Sequence, residues 1–467
     1  MSAAFGLWWQ DWSEYDSWIV ITAALAAAAC ALPGNYLLLR RQSLLGDALS
    51  HSVLPGIVLS YLAWSALEQS GWLPVAETAG LRHLVLFLGA AGSGLLAALL
   101  SEWTHRLGRL DAGSSLGVVF TTFFALGLLL IRLAADRAHI DPGCVLYGNL
   151  ETIVIDRIPG TAIPRAAVVN GIVLLLNATL WILFYKELQL SAFDPGLAET
   201  LGLPIARLQL GAAAVTAITL VAAFESVGSI LVIAMLIVPA ATARLLTDQL
   251  RTMLLASVAL AILSAVLGHL GVLALPYAVS SLAGVTMDIG AGTAGMMALM
   301  AGLIFVTAFV VGPKYGLIRR AWDRAWWEMR IAEEDILGVL YRLEELSPTA
   351  RSATLVQLAP LIQFPPPIVW LAARRLVVTN LLVREGKHFL LTDAGRVRAR
   401  ELIRSHRLWE AFLSQHFQVP QERVHASAEK VEHFLGETLR EELAAELGQS
   451  RQDPHGREIP PERATTR

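Results

Sequence analysis

Apolar residues fall in long blocks along this chain as far as about residue 313, and beyond it they recur singly at helical spacing. The blocks Trp18–Leu39, Leu84–Leu100, Leu116–Leu133, Ala166–Phe184, Leu208–Phe224, Ile230–Leu246, Met253–Val272 and Gly292–Val311 each approach the ~20 residues that a helix needs to cross a bilayer. Shorter runs lie at Ser52–Leu67 and Leu273–Val285, so the pattern predicts eight to ten spans. Pro33-Gly34, Pro55-Gly56 and Pro239 fall inside such runs. That suits kinked helices packed against protein rather than lipid.

After residue 330 the pattern changes. Ile336, Leu337, Leu340 and Leu343 make a helical stripe, Leu376–Thr392 alternates about a turn at Glu385-Gly386-Lys387, and Asp393–Leu413 returns to helical spacing. Helices followed by a two-stranded wing describe a winged helix. The expected fold is therefore an all-α polytopic membrane protein followed by a cytoplasmic winged helix and a helical metal-binding domain. Its expected parts are a membrane body at 1–315, an interface linker at 316–330, a winged-helix part at 331–398, a metal-binding and dimerisation part at 399–460, and a disordered end at 461–467.

Composition sharpens the division. Of the 467 residues 55% are hydrophobic and 16% charged, against about 25% charged in soluble domains. Of the 36 Lys and Arg, 23 follow Gly312. Arg40-Arg41, Arg106, Arg109, Lys186, Arg207, Arg251, Lys314, Arg319 and Arg320 flank the spans, which puts those ends and the tail in the cytoplasm. Trp322, Trp326 and Trp327 suit the membrane boundary. Met1–Asp16 is too short and mixed for a cleavable signal. Cys30 and Cys144 sit in or beside apolar runs and read as packing residues.

Three polar segments interrupt the membrane body. In Leu44-Leu45-Gly46-Asp47-Ala48-Leu49-Ser50-His51-Ser52-Val53-Leu54-Pro55-Gly56, helical spacing puts Asp47 and His51 one turn apart on one face. Oxygen plus imidazole nitrogen suits manganese, iron or zinc, and intramembrane polar pairs commonly line ion paths. Asp47 follows Arg41 by six residues, ~9 Å of helix, so either the path nears the cytoplasm there or the basic pair lies off the interface. Glu225 is an acidic residue in or at the edge of a span, which makes it a further candidate for the ion path, the alternative being a helix end exposed to water. Between spans, Asp194 can N-cap a short helix with Pro195 at its first position and Gly202 at its end.

Those two motifs and Leu236-Ile237-Val238-Pro239-Ala240-Ala241-Thr242-Ala243-Arg244-Leu245-Leu246, in this order and at these separations, resemble the permease subunits of the manganese/zinc/iron ABC importers over residues 15–315. The resemblance implies a homodimer or heterodimer of permeases, a separate ABC ATPase and an extracytoplasmic metal-binding protein. It implies a metal path at Asp47 and His51, and a segment docking on the ATPase that includes Asp194, Pro195, Gly196, Leu197, Ala198, Glu199 and Gly202. No G-x-x-x-x-G-K-[ST] phosphate loop occurs in the chain, which agrees with a motor on another subunit. The absence of H-E-x-x-H disfavours a metalloprotease.

In the tail, His406 and Glu410, His425 and Glu429, and Glu429 and His433 stand four residues apart, with Glu432 beside them. Tyr341–Glu345, Leu391–Arg396, His406–Glu410, Val424–His433 and Asp453–Pro460 resemble the metal-dependent repressors of the diphtheria-toxin/manganese-repressor family. The resemblance implies ligands at Asp335, His406, Glu410, His425, Glu429, Glu432 and His433, and Glu429 points to manganese over iron. Gly338 stands where the manganese branch has an acid. The segment matching the DNA-reading helix, Phe364–Arg375, is apolar with three prolines, and residues 314–467 carry 23 basic against 21 acidic side chains. That is no electrostatic footprint for DNA. The expected function is import of a divalent metal, manganese first and iron or zinc second, through the inner membrane under a metal-sensing tail. The alternative is a membrane-tethered or released metal-dependent transcriptional regulator.

Overall fold

The computed structural model describes residues 12–70, 79–134, 150–283, 292–347, 352–417 without 363, 424–448 without 426, 429 and 430, and 452–461. They form two units, Met1–Arg319 and Arg320–Arg467.

The first unit runs α1 (Glu14–Leu39), α2 (Ser43–Ser52), α3 (Leu54–Gln69), α4 (Ala79–Gly108), α5 (Ala112–Ala134), α6 (Arg165–Leu183), α7 (Tyr185–Phe193), α8 (Pro195–Thr200), α9 (Ile205–Val227), α10 (Ser229–Leu246), α11 (Leu250–Ala283) and α12 (Thr293–Val311). Among the described residues, seven of these, α1, α4, α5, α6, α9, α11 and α12, are long and apolar enough to span, and α10 is a shorter apolar helix. The run at Leu273–Val285 is not a span of its own: α11 passes through it unbroken as far as Ala283.

Helix α1 is the central post. Ser13 caps it, its side chain accepting from Asp16 N–H while Asp16 accepts from Ser13 N–H. Every residue from Ala26 to Leu37 is buried, and α6, α9, α10 and α11 pack around it. Alanine makes this possible, because small side chains let neighbouring backbones approach where no hydrophobic force joins helices in lipid. Pro33 cannot donate to Ala29 O; Asn177 Nδ2 of α6 does so instead at 2.9 Å and also reaches Thr219 Oγ1. Asn35 Nδ2 bonds Ser257 Oγ of α11 at 2.7 Å. Buried His269 of α11 joins Asp16 and Thr293, each at 3.1 Å.

The second unit takes in most of α13 (Leu317–Leu346), then β1 (Ala353–Thr354), α14 (Leu355–Leu358), α15 (Pro366–Val378), β2 (Leu382–Glu385), β3 (His388–Leu391), α16 (Asp393–Phe417) and α17 (Glu437–Glu446). The sheet order is β1-β3-β2, antiparallel throughout, with Leu382 opposite Leu391 and Glu385 opposite His388. Gly386 takes φ +63° in the turn, a conformation glycine adopts without strain. Ile336, Leu337 and Leu340 of the predicted stripe are buried with Val369, Leu376, Phe389 and Leu391 in one core. The wing is shorter than the sequence suggests, since Leu376–Val378 ends α15.

Candidate metal sites

The chain breaks between α1 and α2 at Arg41, whose φ is +58°. Gln42 N–H then closes the end of α1 by donating to Leu37 O at 2.8 Å. Helix α2 begins afresh at Ser43, which is how Asp47 comes so few residues after the basic pair. Arg41, Gln42, Leu44 and Leu45 border a cavity of about 130 Å³ together with Ser101 and Glu102. Asp47 and His51 do share one face: His51 Nε2 lies 3.6 Å from Asp47 Oδ1. The His51 side chain is 25% exposed and that of Asp47 46%. The His51 ring rests against Phe120 and Phe124, at 6.0 and 5.2 Å between centroids. Two glycines bring α1 and α2 onto Leu236 of α10: a Cβ at Gly34 would stand 1.8 Å from Leu236 O, and one at Gly46 2.3 Å from Leu236 Cδ2. Glu225 belongs to α9, and its side chain lies outside the described residues.

Helix α8 is built as its sequence predicts. Asp194 Oδ1 accepts from Leu197 N–H at 2.9 Å, Pro195 takes the first helical position, and Gly202 follows at φ +80°. Leu203 N–H returns to Ala198 O at 3.0 Å. Ala198 is fully buried, whereas Leu197 and Leu201, one turn apart, are 47% and 64% exposed.

In the tail the described sequence-predicted ligands fall into two groups. His406 and Glu410 stand one turn apart on α16 and meet His425. His406 Nε2, Glu410 Oε1 and His425 Nδ1 make a triangle with edges of 3.1, 3.0 and 2.9 Å. Adjacent ligands at ~2.1 Å from one cation stand about 3.0 Å apart in octahedral geometry, so the three donors already match the face a divalent ion takes. The second group is Asp335 of α13 with Glu432 and His433. His433 Nε2 lies 3.4 Å from Asp335 Oδ1 and 3.8 Å from Glu432 Oε1. Glu432 joins the groups, since its other oxygen bonds His406 Nδ1. Glu429 lies outside the described residues.

Sequence reasoning missed Glu334. Its Oε2 takes the His433 Nδ1 hydrogen at 2.8 Å, leaving Nε2 for the cluster, the arrangement by which carboxylates orient metal-binding histidines. Arg398 Nη2 at 3.0 Å and Arg330 Nε at 3.5 Å hold Glu334 in turn. The signal was present, because Glu334 is a charge three residues before Leu337 on the buried stripe. At Gly338, where the manganese branch has an acid, a Cβ would meet Leu402 and Ile403 at 3.4 and 3.9 Å, ordinary contact distances.

The electrostatics fit clusters prepared for a cation. Burial opposes charge on His433, but bonds to Asp335 and Glu334 and the charge of Glu432 outweigh it and hold the ring up at about 9. His406 is raised likewise against burial by Glu410 and Glu432. Burial favours neutral Glu410, yet His406 and His425 hold it down at about 2. Nitrogen and oxygen donors without thiolate suit manganese, iron or zinc. The winged helix offers less to DNA. Arg375 is held by Glu333 at 3.2 Å, Arg374 stacks on Trp370, and Trp370, Leu371 and Val378 are exposed on α15.

Comparison with known proteins bears on both units. Residues 13–312 match the ABC 3 transport family, and residues 392–461 match the iron dependent repressor, metal binding and dimerisation domain. The manganese transport system membrane protein MntD of Bacillus subtilis is 34% identical over 310 residues, 66% of this chain and 95% of its own. A probable metal transport system membrane protein of Chlamydia trachomatis is 27% identical over 453 residues, 94% of this chain and 95% of its own. That likeness continues through the tail. Among solved structures, PsaBC from Streptococcus pneumoniae in complex with Fab is similar at a TM-score of 0.50 and 27% identity, covering 68% of this chain and 98% of that one.

Proposed function

The chain belongs to the ABC 3 transport family, and from that membership we propose manganese as the ion its membrane body carries and its tail reads. It is an integral-membrane permease subunit for divalent metal, with the repressor-like unit on the cytoplasmic side. The observation that carries the reading is the Asp47–His51 pair, one oxygen and one nitrogen 3.6 Å apart on a short helix within the helical body. Two partly exposed donors are an incomplete coordination shell, and a second permease subunit completes it. The phosphate loop absent from this chain sits on a separate ABC ATPase, against which Leu197 and Leu201 of α8 dock. An extracytoplasmic metal-binding protein delivers the ion.

The tail holds a divalent ion at Asp335, Glu432 and His433, with Glu429 by family resemblance, and another at His406, Glu410 and His425. A bound ion supplies the positive charge that lets these carboxylates and imidazoles share one place. Glu334 orients His433, and Glu432 couples the two groups. As cytoplasmic manganese rises, the occupied tail slows import.

Uptake in cells co-expressing the chain, an ABC ATPase and a binding protein tests this. Manganese accumulation should disappear with Asp47→Ala and His51→Ala together. With Glu432→Ala or His433→Ala it should persist at high cytoplasmic manganese, where the parent slows. Uptake indifferent to Asp47 and His51 would remove the transport site, and unchanged feedback in the tail variants would remove the sensor.

A further inference from the structure

The cytoplasmic end of the membrane body holds a second cavity, apart from the polar one beside α2. It is a half-open groove of about 280 Å³ walled by α1, α6, α7 and α9, and Arg207 is the one charged side chain among the described residues that line it. We propose that this groove seats one acyl chain of an anionic phospholipid of the cytoplasmic leaflet, with the lipid phosphate on Arg207.

The walls present hydrocarbon. Trp181 Nε1 donates to Leu32 O at 3.1 Å, and Tyr36 OH pairs with Ser191 Oγ at 3.3 Å. Both rings therefore face the groove with their polar atoms already bonded, beside Leu188 and Leu208. On α6, Leu175, Ile182 and Leu183 are exposed, so a helix that walls the groove also carries the apolar surface that a bilayer covers. Gly211 forms part of the α9 wall, and a Cβ there would meet no atom within 4 Å. No neighbouring protein atom demands glycine at that position; a side chain would enter the groove.

Length and charge select the occupant. Arg207, Gly211 and Val215 follow one another at four-residue steps along one face of α9. From Arg207 to Val215 the helix rises ~12 Å, close to the ~15 Å of hydrocarbon in one leaflet. Arg207 stands in the first turn of α9, exposed, and forms no salt bridge among the described residues. Arg40 and Arg251, by contrast, are engaged, the first donating from Nη1 to Ser191 O at 2.8 Å and the second lying 5.4 Å from the Tyr185 ring. A guanidinium binds phosphate oxygens two at a time, and basic pockets between spanning helices on the cytoplasmic side take anionic headgroups. Free phosphate would leave the apolar slot unfilled, and a neutral lipid would leave Arg207 without its anion. The opposite face of α9, with Ala206, Gln209 and Leu210, borders the polar cavity beside Arg41 and Leu44. Helix α9 is thus the partition between the two cavities, and the acyl chain backs it. A second permease subunit that completes the Asp47–His51 shell comes from the α2 side, which leaves the groove to lipid.

The test uses the full chain in detergent, stripped of lipid. Phosphatidylglycerol and phosphatidylcholine with the same acyl chains are titrated separately, and bound lipid is counted by native mass spectrometry. The parent should hold one phosphatidylglycerol in preference to phosphatidylcholine. Arg207→Gln should weaken phosphatidylglycerol about fivefold, the worth of one basic side chain at an anionic lipid surface, and leave phosphatidylcholine unchanged. Arg207→Lys should keep most of the preference, and Arg109→Gln, outside the groove, should behave as the parent. Gly211→Leu should remove tight binding of both lipids by filling the slot. Arg207 is exposed, so its variants decide the matter even where Gly211→Leu fails to fold. If Arg207→Gln and Gly211→Leu both bind phosphatidylglycerol as the parent does, the groove is not a lipid site. If the parent holds the two lipids equally, Arg207 selects no headgroup and the anionic assignment falls. If Gly211→Leu converts a dimer to a monomer and leaves lipid binding untouched, the groove is an interface between permeases and the proposal is overturned.

Discussion

Gly34→Ala puts the packing around the Asp47–His51 pair to a direct test. The added Cβ would stand 1.8 Å from Leu236 O and 2.8 Å from its carbonyl carbon. Carbon and carbonyl oxygen settle at ~3.3–3.6 Å even in close backbone contacts, so the substitution demands about 1.5 Å of separation between α1 and α10. Both partners are backbone in buried helices, and no rotamer change can absorb the move. Overpacking usually costs ~1–3 kcal/mol, and a clash between backbones belongs at the upper end. Gly46→Ala is the matched control: its Cβ meets only Leu236 Cδ2, at 2.3 Å, the end of a side chain that can turn away. Cys30 is fully buried on the same helix as Gly34, so in a Cys144→Ser background its labelling by a thiol-reactive fluorophore during heating reports the opening of α1. Gly34→Ala should label at a clearly lower temperature than Gly46→Ala and should lose manganese uptake. A Gly34→Ala protein that labels and transports like its parent would refute the close approach of α1 to α10, and with it the placement of α2.

Further outcomes follow from the same geometry. Asn177→Ala should lower the labelling temperature of Cys30, because Ala29 O loses its donor and an orphaned buried group costs ~1–3 kcal/mol. Adding Pro33→Ala should recover part of the loss by restoring an amide at the position that pairs with Ala29. Glu334→Gln should weaken metal binding at the His433 group by ~10–100-fold, read by titration of the full chain with manganese. His433 titrates near 9 instead of 6.5 and His406 is raised as well, so manganese binding near pH 7 should release protons; calorimetry in buffers of different ionisation enthalpy would detect them, and a buffer-independent heat would contradict the assignment. For stability without metal, the His433 contribution is complete below 6.5 and lost as pH rises through about 9. The Glu410 contribution is present above 4.5 and lost as pH falls through about 2. Thermal unfolding of the metal-free tail should therefore peak at pH 4.5–6.5, and a peak above pH 8 would contradict these pairings.

The blocks of apolar residues, their basic flanks and the cap at Asp194 were legible in the sequence because each depends on residues close in the chain: hydrocarbon thickness sets block length, and a cap is closed within four residues. Asp47 and His51 were legible for the same reason, one helical turn being a local distance. The candidate ligands of the tail could be enumerated but not grouped. Whether His406 shares an ion with His425 or with His433 depends on how α16, α13 and the turn after residue 424 pack. The structure assigned His425 to one group and Asp335 to the other, with Glu432 between them. It also brought in Glu334, whose partner His433 lies 99 residues away along the chain. The same holds for α2. Composition says that Gly34 and Gly46 are small, but only the crossing of α1, α2 and α10 over Leu236 shows that neither position has room for a Cβ, because steric exclusion acts between surfaces that meet only once the chain is folded.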